Sequence, residues 1–344
     1  MSSEDRSSLG IEREDMDRTG LPILPDVTYR RVRGRDDFSQ MAAVITRSRE
    51  ADGVELVTTA DGLAADFEHP TDFDPASDVL VVEANGSIVG LARMRQDRRA
   101  DGTLAYVHSV ELVPKWRGRG LRESLFDYNE HHARSLAKSD PTQGPRVLAL
   151  WANDEENEWK ALAVAHGYRP VQHEIDLVRS LEDIPEAPLP AGIEVRPVKP
   201  EDVQTVWDAN REAWREVWDY SESDWDAAHL EAFRHSPEFQ PDLWQIAWDG
   251  DTVVGMVLPY IIEEENRRYG RLRGHTEGVY VREGYRGRGI ARALLARSLR
   301  VLKERGMEEA TLGMEVENPH DPLRLYEGMG FTTVKHFTWY QKSL

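Results

Sequence analysis

A glycine- and arginine-rich turn contains the first residues whose types and spacing suggest chemistry. The turn Arg286–Ala291 has the sequence RGRGIA, follows the apolar segment Val279–Val281 and precedes an amphipathic helical pattern. The N–H groups at the start of a helix lack backbone partners and attract anions, and glycines let a phosphate oxygen approach the backbone closely. Arginines in the same turn add charge-assisted contacts. A lone RGRG turn is also common in solvated loops, so the motif alone leaves both interpretations open.

The same turn occurs twice in the chain. Residues 110–126 (VELVPKWRGRGLRESLF) are repeated 169 positions later as residues 279–295 (VYVREGYRGRGIARALL). An Asn-Gly pair at 85–86 and an Asp-Gly pair at 249–250 predict a hairpin turn upstream of each copy. A period of this length indicates a duplicated domain rather than a solenoid.

The duplication predicts the organisation of the chain. We expect one domain at 27–180 and a second at 193–344, joined by a linker at 181–192 whose three prolines favour an extended spacer. Residues 1–26 mix both charge signs with serine and glycine and lack the apolar stretch of a secretory signal. They are predicted to form a disordered tail of a cytoplasmic protein.

The pattern of apolar segments predicts a mixed α/β (α+β) fold, which must position the turn. For the second copy we predict helices at 200–218, 222–235, 289–305 and 320–329, and strands at 193–198, 243–248, 252–262, 272–281, 309–316 and 331–343. Four leucines at helical spacing form an apolar stripe on the helix that follows the turn, so this helix is expected to pack on a sheet.

Composition excludes several classes of function. The chain has 43 Lys and Arg against 62 Asp and Glu, a net charge of −19, which repels phosphate backbones and argues against a nucleic-acid partner. The absence of cysteine excludes disulfides, thiolate-ligated zinc and a thiol nucleophile, and no metal site is predicted. The apolar stretch Val253–Ile262 has ten residues, whereas a membrane-spanning helix needs about 20.

The residues around the second turn form a longer signature. Arg286, Gly289 and Ala291 are spaced as R-x-x-G-x-A, and the segment Leu325–Phe331 (LYEGMGF) follows downstream. In these residues the second copy resembles the Gcn5-related N-acetyltransferase (GNAT) family, although Glu283 stands where the family ordinarily has the proline of V-x-P. The duplicated layout resembles tandem GNAT proteins such as mycothiol synthases. The resemblance implies two GNAT (acyl-CoA N-acyltransferase) domains, each a splayed mixed sheet flanked by helices, and acetyl-CoA as cofactor.

The resemblance also implies where the cofactor binds. The pyrophosphate is expected on the turn, the pantetheine arm near the downstream asparagine, and the acetyl carbonyl against backbone N–H groups of the preceding strand. The predicted cofactor-binding residues are Val279, Tyr280, Val281, Arg286, Gly287, Arg288, Gly289, Ile290, Ala291 and Asn318.

Two side chains occupy places that the family uses for proton transfer. Glu277 precedes the turn, and the resemblance implies that it removes a proton from the amine through water. Tyr326 lies five residues before Phe331, and the resemblance implies that it protonates the thiolate of coenzyme A. From the residues alone, Glu277 is also open to an ion pair with Arg273, and Tyr326 to packing in a core.

Aromatic and acidic residues mark the region expected to face the acceptor. Trp207, Trp214 and Trp218 share one helical face and Trp225 follows, a pattern that is also typical of a core stripe. The acidic residues among them are Glu212, Glu216, Asp219, Glu222, Asp224 and Asp226. In the family the first two helices overhang the acceptor site, so the resemblance implies a small, cationic amine. Residues 218–222 (WDYSE) replace a His-Pro-Glu-Gln-Gly-like stretch of mycothiol synthases, which argues against that activity itself.

The first copy departs from the second at the positions that matter. Arg122 stands where the second copy has Ala291, Ala163 where it has the tyrosine, and His108 where it has the glutamate, so the first copy is predicted to be degenerate. We therefore expect an N-acetyltransferase that acts on a small-molecule amine, as a monomer or homodimer. Two alternatives stay open: a non-catalytic acyl-CoA-binding or regulatory module, and acetylation of a cysteinyl pseudo-disaccharide as in mycothiol synthases.

Overall fold

The computed structural model describes residues 20–218 and 220–344. Its contacts divide the chain into unit 1, which ends at Val171 and also includes Trp339–Leu344, and unit 2, Gln172–Thr338. Residues 1–19 of the predicted tail, and Asp219, lie outside the described residues. Leu21 is 1% exposed and belongs to the core of unit 1, so the folded chain begins before residue 26.

The boundary between the units is displaced from the predicted linker. Gln172–Ser180 belongs to unit 2, although the repeat assigned it to the first domain. Leu181, at the start of the predicted linker, is buried, and its N–H donates to the carbonyl of Glu308 at 2.8 Å. The repeat shows where the sequence is duplicated, whereas strand pairing decides with which unit a segment folds.

Unit 1 is a mixed sheet covered by helices. Its elements are β1 (Val27–Arg30), α1 (Arg35–Ala51), α2 (Ala60–Glu68), β2 (Val79–Ala84), β3 (Ser87–Arg98), β4 (Leu104–Leu112), α3 (Leu121–Ser139), β5 (Arg146–Asn153) and α4 (Asn157–Ala165). The strands are ordered β1-β2-β3-β4-β5, and Trp339–Ser343 lies next to β5. The pairs from β1 to β4 are antiparallel and β4 and β5 are parallel, so the mixed sheet predicted for the copy is confirmed.

Unit 2 repeats this arrangement. After β6 (Arg169–Ser180), its elements are β7 (Glu194–Val195), α5 (Val203–Trp214), α6 (Ala227–His235), β8 (Gln245–Asp249), β9 (Thr252–Tyr260), α7 (Glu263–Tyr269), β10 (Arg273–Val281), α8 (Ile290–Glu304), β11 (Glu309–Glu315), α9 (Leu323–Gly328) and β12 (Thr332–Ser343). The strands are ordered β7-β8-β9-β10-β11-β6-β12, where Gln172–Ser180 of β6 and Thr332–Thr338 of β12 belong to this unit. β10 and β11 are parallel, and β6 is antiparallel to β11.

Helix α8 anchors the core of unit 2. Leu294, Leu295, Leu299 and Leu302 are fully buried, and the helix packs across β9 and β10. The leucine stripe predicted from the sequence is therefore confirmed, and it fixes the start of α8 beside the end of β10. Among the described residues, no helix is both long enough and apolar enough to cross a bilayer.

Candidate active site

The RGRG turn forms a rigid junction between β10 and α8. Gly287 and Gly289 have φ angles of +73° and +85°, which favour glycine, and Gly289 caps the N-terminus of α8. Apart from the adjoining residues of the turn, no atom of the described residues lies within 4 Å of where a Cβ would stand on either glycine, so their backbone is open to a ligand. Nε of Arg286 donates to the carbonyl of Val281 at 2.9 Å and closes the turn. The first N–H groups of α8 are thus presented at an accessible glycine-lined site.

A cleft of about 900 Å³ opens beside this turn. The parallel strands β10 and β11 pair only from Arg273–Glu309 to His275–Thr311. Beyond these pairs both strands line the cleft, together with the start of α8 and part of α9. The opening between two parallel strands therefore leads directly to the helix N-terminus.

A β-bulge interrupts β10 at the cleft. Glu277 pairs with Leu258 and Tyr280 with Met256, so two residues of β10 face a single residue of β9. Gly278, in the bulge, has a φ of +63°, and a Cβ there would lie 3.0 Å from Cγ of Leu258. A bulge leaves one residue of the strand unpaired, so it frees backbone groups of β10 to face a ligand.

Glu277 is half-buried in the cleft and carries a strongly shifted carboxyl. The pKa of Glu277 is raised to about 8, mainly by burial and also by the carboxylates of Asp176, Glu238 and Glu174. The hydrogen bond from the Gly313 N–H acts in the opposite direction. The Gly313 N–H donates to its Oε1 at 2.9 Å. Arg273, the alternative ion-pair partner considered from the sequence, pairs instead with Glu309 at 2.9 Å. Glu277 is therefore a carboxyl that exchanges a proton near neutral pH.

Tyr326 lies on α9 with its side chain against the same cleft. The residue is only 6% exposed, and its hydroxyl makes no hydrogen bond within the described residues. Burial, and then the charge of Glu277, raise the pKa of the Tyr326 hydroxyl well above its usual value. The ring packs edge-on to Phe331, so the core and cleft interpretations of this residue both hold. The phenol stays protonated and is available to a ligand.

The cleft brings together most of the residues that the sequence singled out. The predicted residues that line it are Glu277, Val279, Tyr280, Val281, Arg286, Gly287, Gly289, Ile290, Ala291, Asn318 and Tyr326. Arg288 is exposed and does not line the cleft. Its guanidinium lies 5.2 Å from the centre of the Tyr285 ring. Oδ1 of Asn318 accepts a hydrogen bond from the N–H of His320 at 3.0 Å, which fixes the amide beside the cleft.

The aromatic stripe divides between core and cleft. Trp207 is 9% exposed and packs on Trp225 with ring centres 4.6 Å apart, as a core residue does. Trp214 is 44% exposed and lines the cleft. The helix predicted at 200–218 is shorter in the structure, because α5 spans Val203–Trp214. Trp218 therefore does not lie on it.

Sequence reasoning placed Glu216 among the acidic residues of the acceptor region but missed its contacts, and it missed His320 and Asp176 of the cleft. Glu216 accepts from Arg286 Nη2 at 2.9 Å and lies 2.6 Å from Nε2 of His320. Burial would raise the pKa of Glu216, but the hydrogen bonds from Arg286 and His320 lower it overall. Asp176 of β6 also lines the cleft, although its sequence position lies in the first repeat. Only the pairing of β6 with β11 reveals that Asp176 lies at the cleft. The bulge had a signal in the sequence, because Gly278 lies inside the predicted strand 272–281.

In the corresponding region of unit 1, two arginines are held by a carboxylate of the protein. Asp52 accepts from Nη1 and Nη2 of Arg117 at 2.6 and 2.8 Å and from Nη2 of Arg122 at 3.2 Å. Arg122, in place of Ala291, is buried, and its guanidinium lies 5.1 Å from the centre of the Trp159 ring. Arg117 and Arg122 are thus engaged with a carboxylate of the protein, whereas the guanidinium of Arg119 lies 4.9 Å from the centre of the Trp116 ring.

Unit 1 also lacks the second copy's reactive groups at equivalent positions. β4 pairs with β3 in continuous register from Leu104 to Leu112, without the bulge seen in β10. His108 is buried, its Nε2 lies 2.8 Å from the Tyr168 hydroxyl, and burial lowers the pKa of His108 to about 3. Ala163 is buried and provides no hydroxyl where the second copy has Tyr326.

Comparison with known proteins assigns both copies to one family. The model of the acetyltransferase (GNAT) family matches residues 44–140 and 204–331. A mycothiol acetyltransferase of Geodermatophilus obscurus is 26% identical over 321 residues, which cover 91% of this chain and 96% of that protein. A mycothiol acetyltransferase of Salinispora tropica is 30% identical over 263 residues, 75% of this chain and 78% of that protein.

A solved structure agrees over nearly the whole chain. The crystal structure of a GCN5-related N-acetyltransferase from Sphaerobacter thermophilus has a TM-score of 0.69 and 25% identity, and the match covers 94% of this chain and 96% of that one. The two family matches, the mixed sheets and the cleft at a splayed pair of parallel strands are consistent with one another. The chain therefore belongs to the GNAT family of N-acetyltransferases, as a tandem GNAT protein of the mycothiol-synthase-like layout.

Proposed function

We propose that the second copy transfers an acetyl group from acetyl-CoA to the amine of a small cationic molecule. The observation that carries this proposal is the meeting of Glu277, Tyr326 and the glycine-rich helix N-terminus in one cleft. A proton acceptor, a proton donor and an anion site are the three elements that acyl transfer from a thioester to an amine requires.

The cleft fits coenzyme A. The open backbone at Gly287 and Gly289 would hold the pyrophosphate, with Ile290 and Ala291 in the first turn of α8 beside it. The opening between β10 and β11 would admit the pantetheine arm, with Asn318 alongside. When bound, acetyl-CoA supplies the activated acetyl group as a thioester.

Glu277 would act as the general base. An amine with a pKa near 10 is neutral in about one molecule in a thousand at pH 7, so its proton must be removed before the nitrogen can act as a nucleophile. A carboxyl whose pKa lies near 8 exchanges protons efficiently at neutral pH, either directly or through a water molecule. The Gly313 N–H holds its Oε1 in place during this exchange.

Tyr326 and the bulge would supply the remaining functions. The Tyr326 hydroxyl is held protonated by its surroundings and would donate that proton to the departing thiolate. Backbone N–H groups of Val279–Val281, next to the bulge, would polarise the acetyl carbonyl. Tight backbone geometry at Gly278 would keep these donors oriented.

The acceptor is proposed to be cationic because carboxylates line its side of the cleft. Glu174, Asp176, Glu277 and Glu315 border the opening, and Trp214 offers an exposed aromatic face. Negative groups with an aromatic surface favour an ammonium ion.

A panel of amines with acetyl-CoA tests the proposal. We expect release of free coenzyme A thiol, detected with a chromogenic disulfide, with mono- and diamines and not with uncharged alcohols of the same size. Tight acetyl-CoA binding without thiol release from any amine would support the non-catalytic alternative instead.

A second candidate acceptor comes from the relatives, which are mycothiol acetyltransferases. The panel therefore includes the cysteinyl pseudo-disaccharide that carries the amine in mycothiol formation. A kcat/KM for this compound at least tenfold above that of every simple amine would favour the mycothiol-type function.

A further inference from the structure

Asp176 is an unexplained carboxylate in the wall of the cleft. It lies on β6, is half-buried and accepts no hydrogen bond from the described residues. Buried carboxylates are ordinarily paired or hydrogen-bonded, because desolvation penalises an isolated charge. Burial accordingly raises the pKa of Asp176 above its usual value.

The register of β6 and β11 places Asp176 beside the proposed base. Asp176 pairs with Gly313, whose N–H donates to Oε1 of Glu277 at 2.9 Å. Oδ1 of Asp176 lies 3.6 Å from where a Cβ of Gly313 would stand. The two carboxyls therefore border the same glycine, which lacks a side chain that could separate them.

The charges around this pair come from several elements. Lys335 of β12 and His275 and Arg273 of β10 act to lower the pKa of Asp176. Around Glu277, the carboxylate of Asp176 is the strongest of the charges that raise its pKa, ahead of Glu238 and Glu174. Both carboxyls therefore have raised pKa values, and each lies beside the same glycine.

We propose that Asp176 is a positioning residue for acyl transfer, which pairs with the ammonium group of the incoming acceptor and strengthens Glu277 as its proton acceptor. The inference rests on the proposed function and gives a specific role to one of the carboxylates that border the acceptor side of the cleft.

The proton balance of this step is simple. The acceptor enters as an ammonium ion and pairs with the Asp176 carboxylate. One N–H bond breaks, its proton passes to Glu277 directly or through water, and an O–H bond forms there. The nitrogen keeps the electron pair as a neutral amine, and Asp176 neither gains nor loses a proton in this step.

Direct titration of Glu277 tests the coupling without any acceptor. Glutamate carboxyls labelled with ¹³C are followed by NMR from pH 5 to 10, and the Glu277 signal is assigned by its loss in Glu277→Gln. In Asp176→Asn we expect the Glu277 midpoint to fall by about one pH unit, because a neighbouring like charge is removed. An unchanged midpoint would refute the coupling.

Two further variants separate this role from a general effect of charge or folding. Asp176→Glu keeps the carboxylate and should retain a raised midpoint. Glu304→Gln removes an exposed carboxylate of α8 that does not line the cleft, and should leave the midpoint where it is. If Asp176→Asn does not fold, Asp176→Ser provides the neutral side chain for the same titration.

Kinetics test the contact with the acceptor. With 1,4-diaminobutane or the best amine of the panel, Asp176→Asn should raise KM for the amine roughly tenfold or more, because a charge-assisted contact is lost. KM for acetyl-CoA should not change. This inference would be overturned if the wild type transfers acetyl groups and Asp176→Asn changes neither KM for the amine nor the Glu277 midpoint. The proposed function would then still stand. Absence of transfer in the wild type would instead overturn the proposed function.

Discussion

Burial raises the pKa of both Glu277 and Tyr326 in the cleft, but the chemical consequences for the two side chains are opposite. Burial raises the pKa of Glu277 to about 8 and raises that of Tyr326 out of the accessible range. The carboxyl then titrates close to physiological pH, whereas the phenol keeps its proton at neutral pH. An acid and a base can therefore coexist in their required protonation states.

The pH dependence of the reaction follows from Glu277. As a base it must be deprotonated, so kcat/KM is expected to rise with pH through an inflection near 8 and to level off above it. Initial rates between pH 6 and 9.5 measure this. In Glu277→Gln the inflection should vanish and kcat should fall on the order of 100-fold. A variant that keeps the wild-type profile would exclude Glu277 as the base.

Removal of the Tyr326 hydroxyl should affect turnover and not binding. Tyr326→Phe keeps the packing on Phe331 and deletes only the proton donor. We expect kcat to fall on the order of 100-fold with the Kd of acetyl-CoA unchanged. Steady-state kinetics and calorimetric titration provide the two readouts, and equal kcat in both proteins would eliminate the acid role.

At the scale of elements, the bulge in β10 distinguishes the two copies most clearly. Gly278 adopts a φ of +63° there, and its equivalent in unit 1, Ser109, lies in a strand of continuous register. A side chain other than glycine is disfavoured at such a φ, so the bulge depends on this residue.

Gly278→Ala should cost both stability and activity. The left-handed backbone costs about 1 kcal/mol for alanine, and its Cβ would lie 3.0 Å from Cγ of Leu258. We expect a lower Tm and at least a tenfold lower kcat. Gly284→Ala is the matched control, because nothing lies within 4 Å of its Cβ position and its φ is not positive. Similar losses in both variants would contradict the importance of the bulge.

The segment after α5 presents a carboxylate that we expect to compete with phosphate for Arg286. Glu216 engages both Arg286 and His320 at the mouth of the cleft. Glu216→Gln should free the Arg286 guanidinium for an anionic ligand and lower the Kd of acetyl-CoA about threefold to tenfold. Glu212→Gln breaks a similar pair with Arg282 at 2.6 Å, outside the cleft lining, and should change the Kd by less than about twofold. Weaker binding in Glu216→Gln would contradict the competition.

The sequence allows the elements of unit 2 to be predicted better than its contacts. The helix after the turn was expected at 289–305 and spans Ile290–Glu304, because its leucine periodicity is strong. α7 (Glu263–Tyr269) was not predicted, since EEENRRY has no apolar stripe. Asp176 could not be recognised as a cleft residue, because its place depends on the pairing of β6 with β11 rather than on any local pattern.

At the scale of the whole molecule, unit 1 has the fold of the duplicated domain, but two arginines at its turn are paired with a carboxylate of the protein. Arg117 and Arg122 share the Asp52 carboxylate, and Arg122 stands where unit 2 has the small residue Ala291. An internal ion pair satisfies the charges that would otherwise attract phosphate. We therefore infer that the first copy does not bind the cofactor.

Binding stoichiometry tests that inference. Calorimetric titration should give one acetyl-CoA per chain, and Ala291→Arg, which copies the side chain of the first unit into the second, should weaken binding at least tenfold. The Arg122→Ala variant should still bind a single equivalent, because Arg117 retains its pair with Asp52. Two equivalents in the wild type would show that the first copy is active in binding.

The placement of Trp339–Leu344 in unit 1 has a consequence for biosynthesis. Lys342 contacts Glu130 and the His166 carbonyl, and Tyr340 is buried in the same core. These residues emerge from the ribosome only after all of unit 2 has been translated. Unit 1 is thus translated first but completed last. Until its final strand is made, it exposes the edge of β5. Chaperone dependence should therefore be greatest while unit 2 is being translated.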